Sequence, residues 1–222
     1  MTRAVIFDVN ETLLNLNVLD PHFESVFGDA GSRTIWFSQV LQIAFVHAVL
    51  GIFHEFAQIG RVALAIIAGR YGLDLSEEQI AQIVGQMLNL PPHPEVAENL
   101  ARLKQHNFTI AALTNSGSQM AVTQLTNAGI APYFDHILSV DSVSQLKPAQ
   151  AVYQFAVQTI GVAASEAWFM AAHDWDIAGA MQSGMKGAFI NRSNAILNPL
   201  YPAPDIIGRD LTEVTDQILS NV

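Results

Sequence analysis

The 222-residue chain is predicted to have an α/β fold, with a doubly wound parallel sheet as its core and a helical cap inserted after the first strand. Three observations support this prediction. After residue 92, apolar runs of strand length alternate regularly with helix-like segments, as in right-handed βαβ units. Residues 16–91 instead carry apolar residues at helical spacing. Polar or charged residues follow four of the strands, at the edge where open α/β sheets bind ligands.

The predicted core comprises residues 1–15 and 92–222, and the predicted cap comprises residues 16–91. The first strand, about Ala4–Val9, is a short apolar run that ends in an aspartate and a polar turn. Within the cap, Ser76 and two following glutamates begin a helix, because serine caps free backbone N–H groups and acidic residues favour the first turn. A proline cluster then ends the cap.

The rest of the core is predicted as alternating helices and strands. The helices lie near residues 95–106, 119–128, 149–159 and 177–183. The strands lie near residues 109–114, 137–139, 167–172 and 187–191. A proline-rich loop at residues 199–204 precedes the C-terminal tail.

The composition indicates a globular protein and excludes several classes of function. Half of the residues are apolar and 14% are charged, unlike a disordered chain. The formal net charge of −10 disfavours nucleic acid as a partner, because nucleic-acid binding relies on lysine and arginine. The absence of cysteine excludes disulfides, thiolate metal sites and a cysteine nucleophile. The N-terminal apolar run is too short for a secretory signal, so we expect a cytoplasmic location.

An uncharged stretch between Arg33 and Glu55 is long enough to cross a bilayer. Polar residues such as Gln42 and His47 interrupt it, and it lies between segments typical of a soluble domain. We therefore predict no membrane association. A buried cap helix or the interface of a homodimer is the preferred interpretation, since an exposed apolar helix is most readily covered by a second subunit.

Polar residues at four predicted strand ends form the candidate active site. Asp8 follows the first strand, Thr114-Asn115-Ser116 follow the second, and Lys147 follows the third. The segment from His173 to Asp176 follows the fourth. Because the carboxyl ends of parallel strands meet at one edge of a sheet, these side chains are expected to lie together.

In the order Asp8, Thr114-Asn115, Lys147 and Asp176, the sequence resembles the haloacid dehalogenase superfamily over nearly its whole length. Within that superfamily it is most similar to the type II (S)-2-haloacid dehalogenases, which carry a cap at the same position. This resemblance implies a Rossmann-like fold, a small haloacid substrate, and no metal or other cofactor. It further implies hydrolysis to a 2-hydroxy acid through an ester on the aspartate, with inversion at C2.

Asn10 favours a dehalogenase over a phosphatase of the same superfamily. The phosphatases carry an aspartate at this position, which protonates the alkoxide leaving group and helps arrange Mg²⁺. Asn10 cannot act as an acid, whereas halide leaves without protonation. A monoanionic haloacid also needs no divalent ion to offset phosphate charge.

The resemblance assigns roles to the strand-end residues. Asp8 would attack C2 of the substrate, and Lys147 would keep Asp8 ionised. Thr12 and Thr114 would hydrogen-bond and aim the nucleophile. Asn115 would help to hold the substrate carboxylate.

Two residues after the fourth strand are assigned to the hydrolytic water. Asp176 matches the aspartate that the family uses near Lys147 and this water. His173 stands where a small polar residue is usual, and beside Asp174 and Asp176 it is a candidate water-activating base. The alternative is a structural histidine bonded to a neighbouring backbone group.

The candidate substrate-binding residues are Val9, Asn10, Phe37, Gln39, Ser116, Tyr153 and Trp175. The main departure from the family lies in the first cap helix, where Phe37 occupies the position of an arginine that contacts the departing halide. Arg33, one turn earlier, is expected to face elsewhere. A halide site built from aromatic edges, Trp36 or Trp175, with Gln39 or Gln42 as donors is one replacement.

Two other functions remain open at this stage. A Mg²⁺-dependent phosphatase of the same fold would use Asp8, Asp174 and Asp176 as ligands. A scaffold protein without catalysis would instead use the apolar Ile35–Phe53 face to bind another chain. The remaining histidines show no paired metal spacing on one helix face and are interpreted as non-ligands.

Overall fold

The computed structural model describes residues 3–29 and 31–220. Within these residues, six strands form one parallel sheet in the order β3-β2-β1-β4-β5-β6. The strands are β1 (Ala4–Phe7), β2 (Thr109–Thr114), β3 (His136–Ser139), β4 (Ala167–Ala171), β5 (Lys186–Ile190) and β6 (Ile206–Gly208). Strand β1 lies in the middle of the sheet. Strands β2 and β3 are added on one side of it, and β4, β5 and β6 are then added on the other side. This order confirms the predicted doubly wound α/β fold.

The winding reverses at β1, which lies between β2 and β4. All four residues of β1 are fully buried, and Phe7 pairs with Ala112 on one side and Met170 on the other. Burial on both faces explains why the strand reads as a continuous apolar run. The Asp8 N–H donates to the Met170 carbonyl at 3.0 Å, so Asp8 is the first residue beyond the strand at this crevice.

All regular elements between residues 16 and 91, within the described part, are helical. They are α1 (Asp20–Phe27), α2 (Ser32–Leu50), α3 (Phe56–Arg70) and α4 (Glu77–Gly85), with 3₁₀ helices at Leu16–Leu19 and Gln86–Asn89. As predicted, Ser76 caps α4: its hydroxyl accepts from the Gln79 N–H, and the Gln79 side chain accepts from the Ser76 N–H. Trp36 Nε1 donates to the Gly60 carbonyl at 2.9 Å and joins α2 to α3.

The other helices pack against the sheet strands. They are α5 (Val96–Gln105), α6 (Ser118–Asn127), α7 (Gln150–Ile160), α8 (Asp174–Gln182) and α9 (Leu211–Ser220). Helix α8 begins three residues earlier than the predicted Ile177, because His173 is its N-cap residue and Asp174 and Asp176 fall in its first turn, where the helix dipole favours acids. Similarly, β1 ends at Phe7 and not at Val9.

The C-terminal tail contains two elements that the sequence pattern did not predict. Strand β6 is only three residues long, too short for a periodic signal, and it pairs with the edge of β5. Helix α9 follows it and packs against α5 and β6, with Leu211, Val214 and Ile218 buried.

Membrane crossing is not supported by the helices. In residues 3–29 and 31–220, no helix combines the length and apolarity that a bilayer span requires. Helix α2, which contains most of the uncharged stretch, buries Trp36, Phe37 and Val40 inside the protein.

Candidate active site

Asp8 is buried at the carboxyl end of β1, and two side chains fix its carboxylate. Lys147 Nζ donates to Oδ1 at 2.8 Å, and Thr12 Oγ1 donates to Oδ2 at 2.7 Å. The Ala172 N–H in turn donates to Thr12 Oγ1 at 2.9 Å, which orients the hydroxyl. Burial raises the pKa of Asp8, but Lys147 and His173 outweigh burial and lower it. Asp8 is therefore ionised at neutral pH, as a nucleophile must be.

Lys147 is held as a cation by three acceptors, which match its three ammonium hydrogens. Besides Asp8, Nζ donates to Asp176 Oδ2 at 2.6 Å and to the Leu113 carbonyl at 3.0 Å. The residue is 1% exposed. Burial lowers the pKa of Lys147, but the two carboxylates outweigh it and raise it. A fixed positive charge therefore lies against the nucleophile.

Asp176 joins Lys147 to Tyr153 beneath the nucleophile. The Tyr153 hydroxyl donates to Asp176 Oδ1 at 2.5 Å, and both residues are fully buried. Burial raises the pKa of Asp176, and the charge of Asp8 acts in the same direction. Gly179 on α8 makes room for the phenol, since a Cβ there would lie 2.6 Å from the Tyr153 hydroxyl. Tyr153 thus supports the site from behind.

His173 lies beside Asp8 and is paired with Glu11, a residue that the sequence did not single out. Its Nδ1 is 3.6 Å from Asp8 Oδ2, and its Nε2 is 2.8 Å from Glu11 Oε2. Burial lowers the pKa of His173, but the neighbouring Asp8 and Glu11 carboxylates outweigh it and raise the pKa to about 10. The ring is therefore an imidazolium while Asp8 is charged. Nδ1 is buried and makes no hydrogen bond to a described residue.

Glu11 was missed because its position depends on an unusual backbone conformation. Its φ of +64° lies in the left-handed region, which non-glycine residues seldom adopt. Its N–H donates to the Leu14 carbonyl at 2.9 Å, and its carbonyl lies 3.2 Å from His93 Nε2. These contacts turn the Glu11 side chain towards His173. An acidic residue in a turn gives no such signal in the sequence.

A cavity of about 10 Å³ adjoins the nucleophile. Its wall comprises Asp8, Asn10, Phe37, Leu41, Phe56, Thr114, Asn115, His173 and Trp175. The volume is close to that of a single water-sized probe, so the surrounding side chains nearly fill the site. Phe37 and Leu41 reach the wall together because residues four apart share one face of a helix.

Gln39 does not reach this cavity, contrary to its prediction as a substrate-binding residue. Two positions along α2 turn it by about 200° away from Phe37. Its Nε2 donates to Gln42 at 2.8 Å, and its Oε1 accepts from Arg70 at 2.6 Å. Gln42 is also absent from the cavity wall, so neither glutamine is a halide donor there. Trp36 is also directed elsewhere, towards α3.

Thr114 lines the cavity but does not bond Asp8, which corrects its expected aiming role. Its hydroxyl accepts from the Ser116 N–H at 3.1 Å, so it shapes the loop after β2. Asn115 Oδ1 accepts from the Lys147 N–H at 2.9 Å. No described residue accepts from Asn115 Nδ2, which leaves this donor for a bound substrate.

Asn10 connects the loop after β1 to the loop after β2. Its Nδ2 donates to Ser116 Oγ at 3.2 Å, and its Oδ1 accepts from Gln124 Nε2 at 3.3 Å. Val9 contributes its carbonyl, which accepts from the N–H groups of Leu13 and Leu14. Ser116 and Val9 therefore support the wall without forming part of it.

Comparisons with known proteins identify the family. A model of haloacid dehalogenase-like hydrolases matches residues 2–184. The chain belongs to this family. It is 30% identical to (S)-2-haloacid dehalogenase H-109 of Pseudomonas putida, with 98% of each chain covered. It is 26% identical to haloacetate dehalogenase H-2 of Moraxella sp. (strain B), covering 91% of this chain and 92% of that one.

Solved structures of this family share the fold. The crystal structure of the L-2-haloacid dehalogenase RSc1362 matches with a TM-score of 0.94 and 27% identity, covering 98% of this chain and 99% of that one. The L-2-haloacid dehalogenase of Xanthobacter autotrophicus matches with a TM-score of 0.90 and 25% identity over 100% of both chains. The fold of the described residues is therefore that of the haloacid dehalogenase-like hydrolases.

The three aspartates required by a magnesium-dependent phosphatase are not grouped as ligands in this family member. Asp8 and Asp176 both accept from Lys147, whose ammonium lies between them. Asp174 Oδ2 instead accepts from the Asn198 N–H at 3.1 Å. Among the described residues, no cluster of three or more histidine and acidic side chains has metal-binding geometry. This donor arrangement does not favour the phosphatase alternative.

Arg33 does not replace the family's halide-binding arginine. It is directed away from the cavity wall, as the sequence predicted, and its guanidinium bonds Glu11, Asp20 and Asn17. Phe37 occupies the wall instead, with its ring centroid 6.2 Å from that of His173. The cations closest to Asp8 are therefore Lys147 and His173.

Proposed function

We propose that this enzyme hydrolyses short 2-haloalkanoic acids to 2-hydroxy acids through an ester on Asp8, without a metal ion. The observation that carries the proposal is an ionised Asp8 held between Lys147 and Thr12 beside a small, partly apolar cavity. The (S)-2-haloacid and haloacetate dehalogenases to which the chain is similar support the choice of substrate.

In the first step, Asp8 attacks C2 of the substrate and the halide leaves from the opposite side. One carbon–oxygen bond forms, one carbon–halogen bond breaks, and no proton is transferred. The His173 imidazolium and Lys147 attract the anionic substrate and offset the charge of the leaving halide. Two donors without an acceptor in the described structure, Asn115 Nδ2 and the buried Trp175 Nε1, are available to the substrate or the halide.

In the second step, the ester is hydrolysed with His173 as the base and Glu11 as its orienting partner. Esterification removes the charge of Asp8, so burial now favours the neutral imidazole and His173 releases a proton to solvent. Water then attacks Cγ of Asp8. One water hydrogen passes to His173 Nδ1, and the other leaves with the 2-hydroxy acid. The net products are halide, one proton and the hydroxy acid, and the starting charges are restored.

The proposal also concerns the size of the substrate. A cavity of about 10 Å³ between Phe37, Phe56 and Trp175 favours haloacetates over longer acids. Residues 16–91 would act as a cap that moves away from the core, residues 1–15 and 92–222, to admit even these small substrates.

Halide release from chloroacetate, fluoroacetate and (S)-2-chloropropionate in the presence of EDTA tests this function. We expect release that EDTA does not reduce. Asp8→Asn should abolish it while leaving the circular dichroism spectrum unchanged. A single turnover in H₂¹⁸O should place ¹⁸O in Asp8 and not in the product. Release that requires Mg²⁺, or ¹⁸O found first in the product, would contradict the mechanism.

We further propose that the enzyme is a cytoplasmic homodimer that pairs through α2 and α3. Exposed apolar side chains on these helices support the dimer: Val46, Val49, Leu50, Val62 and Ile66, of which Val49 is 85% exposed. Light scattering should give twice the chain mass, and Val49→Glu should lower it. A monomer at micromolar concentration would contradict this part of the proposal. The absence of cysteine is consistent with a reducing compartment.

A further inference from the structure

We propose that Arg33 is a positioning residue for the second step: it holds Glu11 in place, so that Glu11 orients His173 during ester hydrolysis. The proposal rests on the function proposed above. Arg33 lies outside the cavity wall, in the first turn of α2. It is the arginine that this helix retains, since Phe37 occupies the position of the family's halide-binding arginine.

The guanidinium of Arg33 is engaged at three of its nitrogens. Nη1 donates to Glu11 Oε1 at 3.0 Å, Nε donates to Asp20 Oδ1 at 2.6 Å, and Nη2 donates to Asn17 Oδ1 at 2.9 Å. The Arg33 side chain is only 8% exposed. Asp20 and Asn17 therefore fix the planar guanidinium group in one orientation, in which Nη1 is directed towards Glu11.

The two oxygens of Glu11 have separate partners. Oε1 accepts from Arg33, and Oε2 lies 2.8 Å from His173 Nε2. No other side chain among the described residues bonds this carboxylate. Without Arg33, Glu11 would keep only the contact of Oε2 with His173, and no other side chain would fix the orientation of its carboxylate. His173 would then lose the partner that keeps the Nε2 hydrogen in place and directs Nδ1 towards Asp8.

Helix α2 contacts the base at a second point. Phe37 lies one turn after Arg33, on the same face of the helix, and its ring packs near that of His173 at 6.2 Å. One rigid element therefore restrains both members of the Glu11–His173 pair. A substitution of Arg33 should disturb the base more than it disturbs Asp8, whose partners are Lys147 and Thr12.

Several charged groups surround the pair. Asp8 faces His173 Nδ1, and Lys147 is bonded to Asp8. On the opposite side, His93 and Arg192 line a cavity of about 240 Å³ together with Glu11 and His173. Arg192 is paired with Glu95, and burial lowers the pKa of His93. Among the described residues, the cations that contact the Glu11 carboxylate are therefore His173 and Arg33.

The decisive experiment separates the two steps in Arg33→Met. Chloroacetate in excess is mixed rapidly with the enzyme, halide is followed, and the acid-quenched protein is weighed by mass spectrometry. We expect the first equivalent of halide to leave at nearly the wild-type rate. Steady-state turnover should then fall about 100-fold, the lower end of what general-base catalysis contributes, and the ester should accumulate. KM should fall with kcat, because slow hydrolysis traps the ester.

Two further variants test the route of the effect. Glu11→Gln should show the same ester accumulation, and Arg33→Met/Glu11→Gln should be no slower than Glu11→Gln alone, since both changes remove one function. Arg33→Lys keeps the positive charge but loses the planar guanidinium group that bonds three acceptors. Its steady-state turnover should therefore lie between that of Arg33→Met and that of the wild type. If Arg33→Met does not fold, Arg33→Lys measured against the wild type decides the question in the same assay.

Arg102→Met is the matched control. Arg102 forms an ion pair with Asp216 that joins α5 to α9, away from the site. Its loss should leave both steps unchanged. Wild-type turnover in Arg33→Met, a loss of the first halide equivalent, or multiplicative effects in the double variant would each overturn the proposal. By contrast, no halide and no ester in the wild type would overturn the proposed function itself.

Discussion

At the scale of single residues, the chemistry of Asp8 depends on a balance of buried charges. The carboxylates of Asp8 and Glu11 lie on either side of the His173 ring, and the Lys147 ammonium offsets the charge of Asp8. Each change in charge at Asp8 therefore alters the pKa of its neighbours. In the proposed mechanism, esterification removes one negative charge, which converts His173 from a cation that attracts the substrate into a base that activates water. A single histidine can serve both steps only because the nucleophile it faces becomes neutral in between.

The raised pKa of His173 predicts how stability depends on pH. The pKa is about 10 in the folded chain and 6.5 as its ordinary value, so folding binds a proton between these limits. The stabilisation is fully present below about pH 6.5 and is lost as pH rises through 10. The free energy of unfolding of the wild type should therefore fall by more, between pH 6.5 and 10, than that of His173→Asn. Urea titrations at several pH values measure this difference, and parallel curves would contradict the charged resting state.

At the scale of elements, the strand ends were predictable and the faces of helices were less so. Asp8, Lys147 and Asp176 meet because parallel strands deliver their carboxyl ends to one edge, a property that sequence order reveals. Gln39 was misplaced because the exact rotation of α2 was not determined by an all-round apolar helix. Glu11 was missed because its left-handed φ accompanies a local turn contact to Leu14 and a tertiary contact to His93, which no sequence pattern reveals.

Gly179 provides a test at this scale, because helix propensity and packing predict opposite results. Alanine is favoured over glycine in a helix interior by about 1 kcal/mol. A Cβ at Gly179, however, would lie 2.6 Å from the Tyr153 hydroxyl. We expect Gly179→Ala to lower the melting temperature and the turnover rate, since Tyr153 must move away from Asp176. Gly69→Ala on α3 is the control, because a Cβ there meets nothing within 4 Å. Equal melting temperatures for the two variants would contradict this account.

At the scale of the whole molecule, the proposed active site lies where the helices of residues 16–91 meet the sheet. The sheet side supplies Asp8, His173 and Asn115, whereas the helical insertion supplies the apolar residues Phe37, Leu41 and Phe56. Most of the fold and of the polar half of the site were predicted from the sequence, whereas Glu11, β6 and α9 were not. The apolar half depends on how the inserted helices pack on the core, and no local pattern encodes that arrangement. Substrate size is therefore a property of the assembled chain.

This division predicts that Phe37→Ala changes substrate preference. Removing the ring enlarges a cavity of about 10 Å³. The ratio of kcat/KM for (S)-2-chlorobutyrate to kcat/KM for chloroacetate should therefore rise about tenfold, which corresponds to ~1.4 kcal/mol of transition-state free energy. The ratio is independent of how much enzyme is folded, since both substrates compete for the same sites. Phe27→Ala is the control: Phe27 packs against Phe23 and Tyr71, away from the cavity. Both variants lose about 3–5 kcal/mol of core packing, so only a ratio that changes in Phe37→Ala alone assigns size selection to the wall.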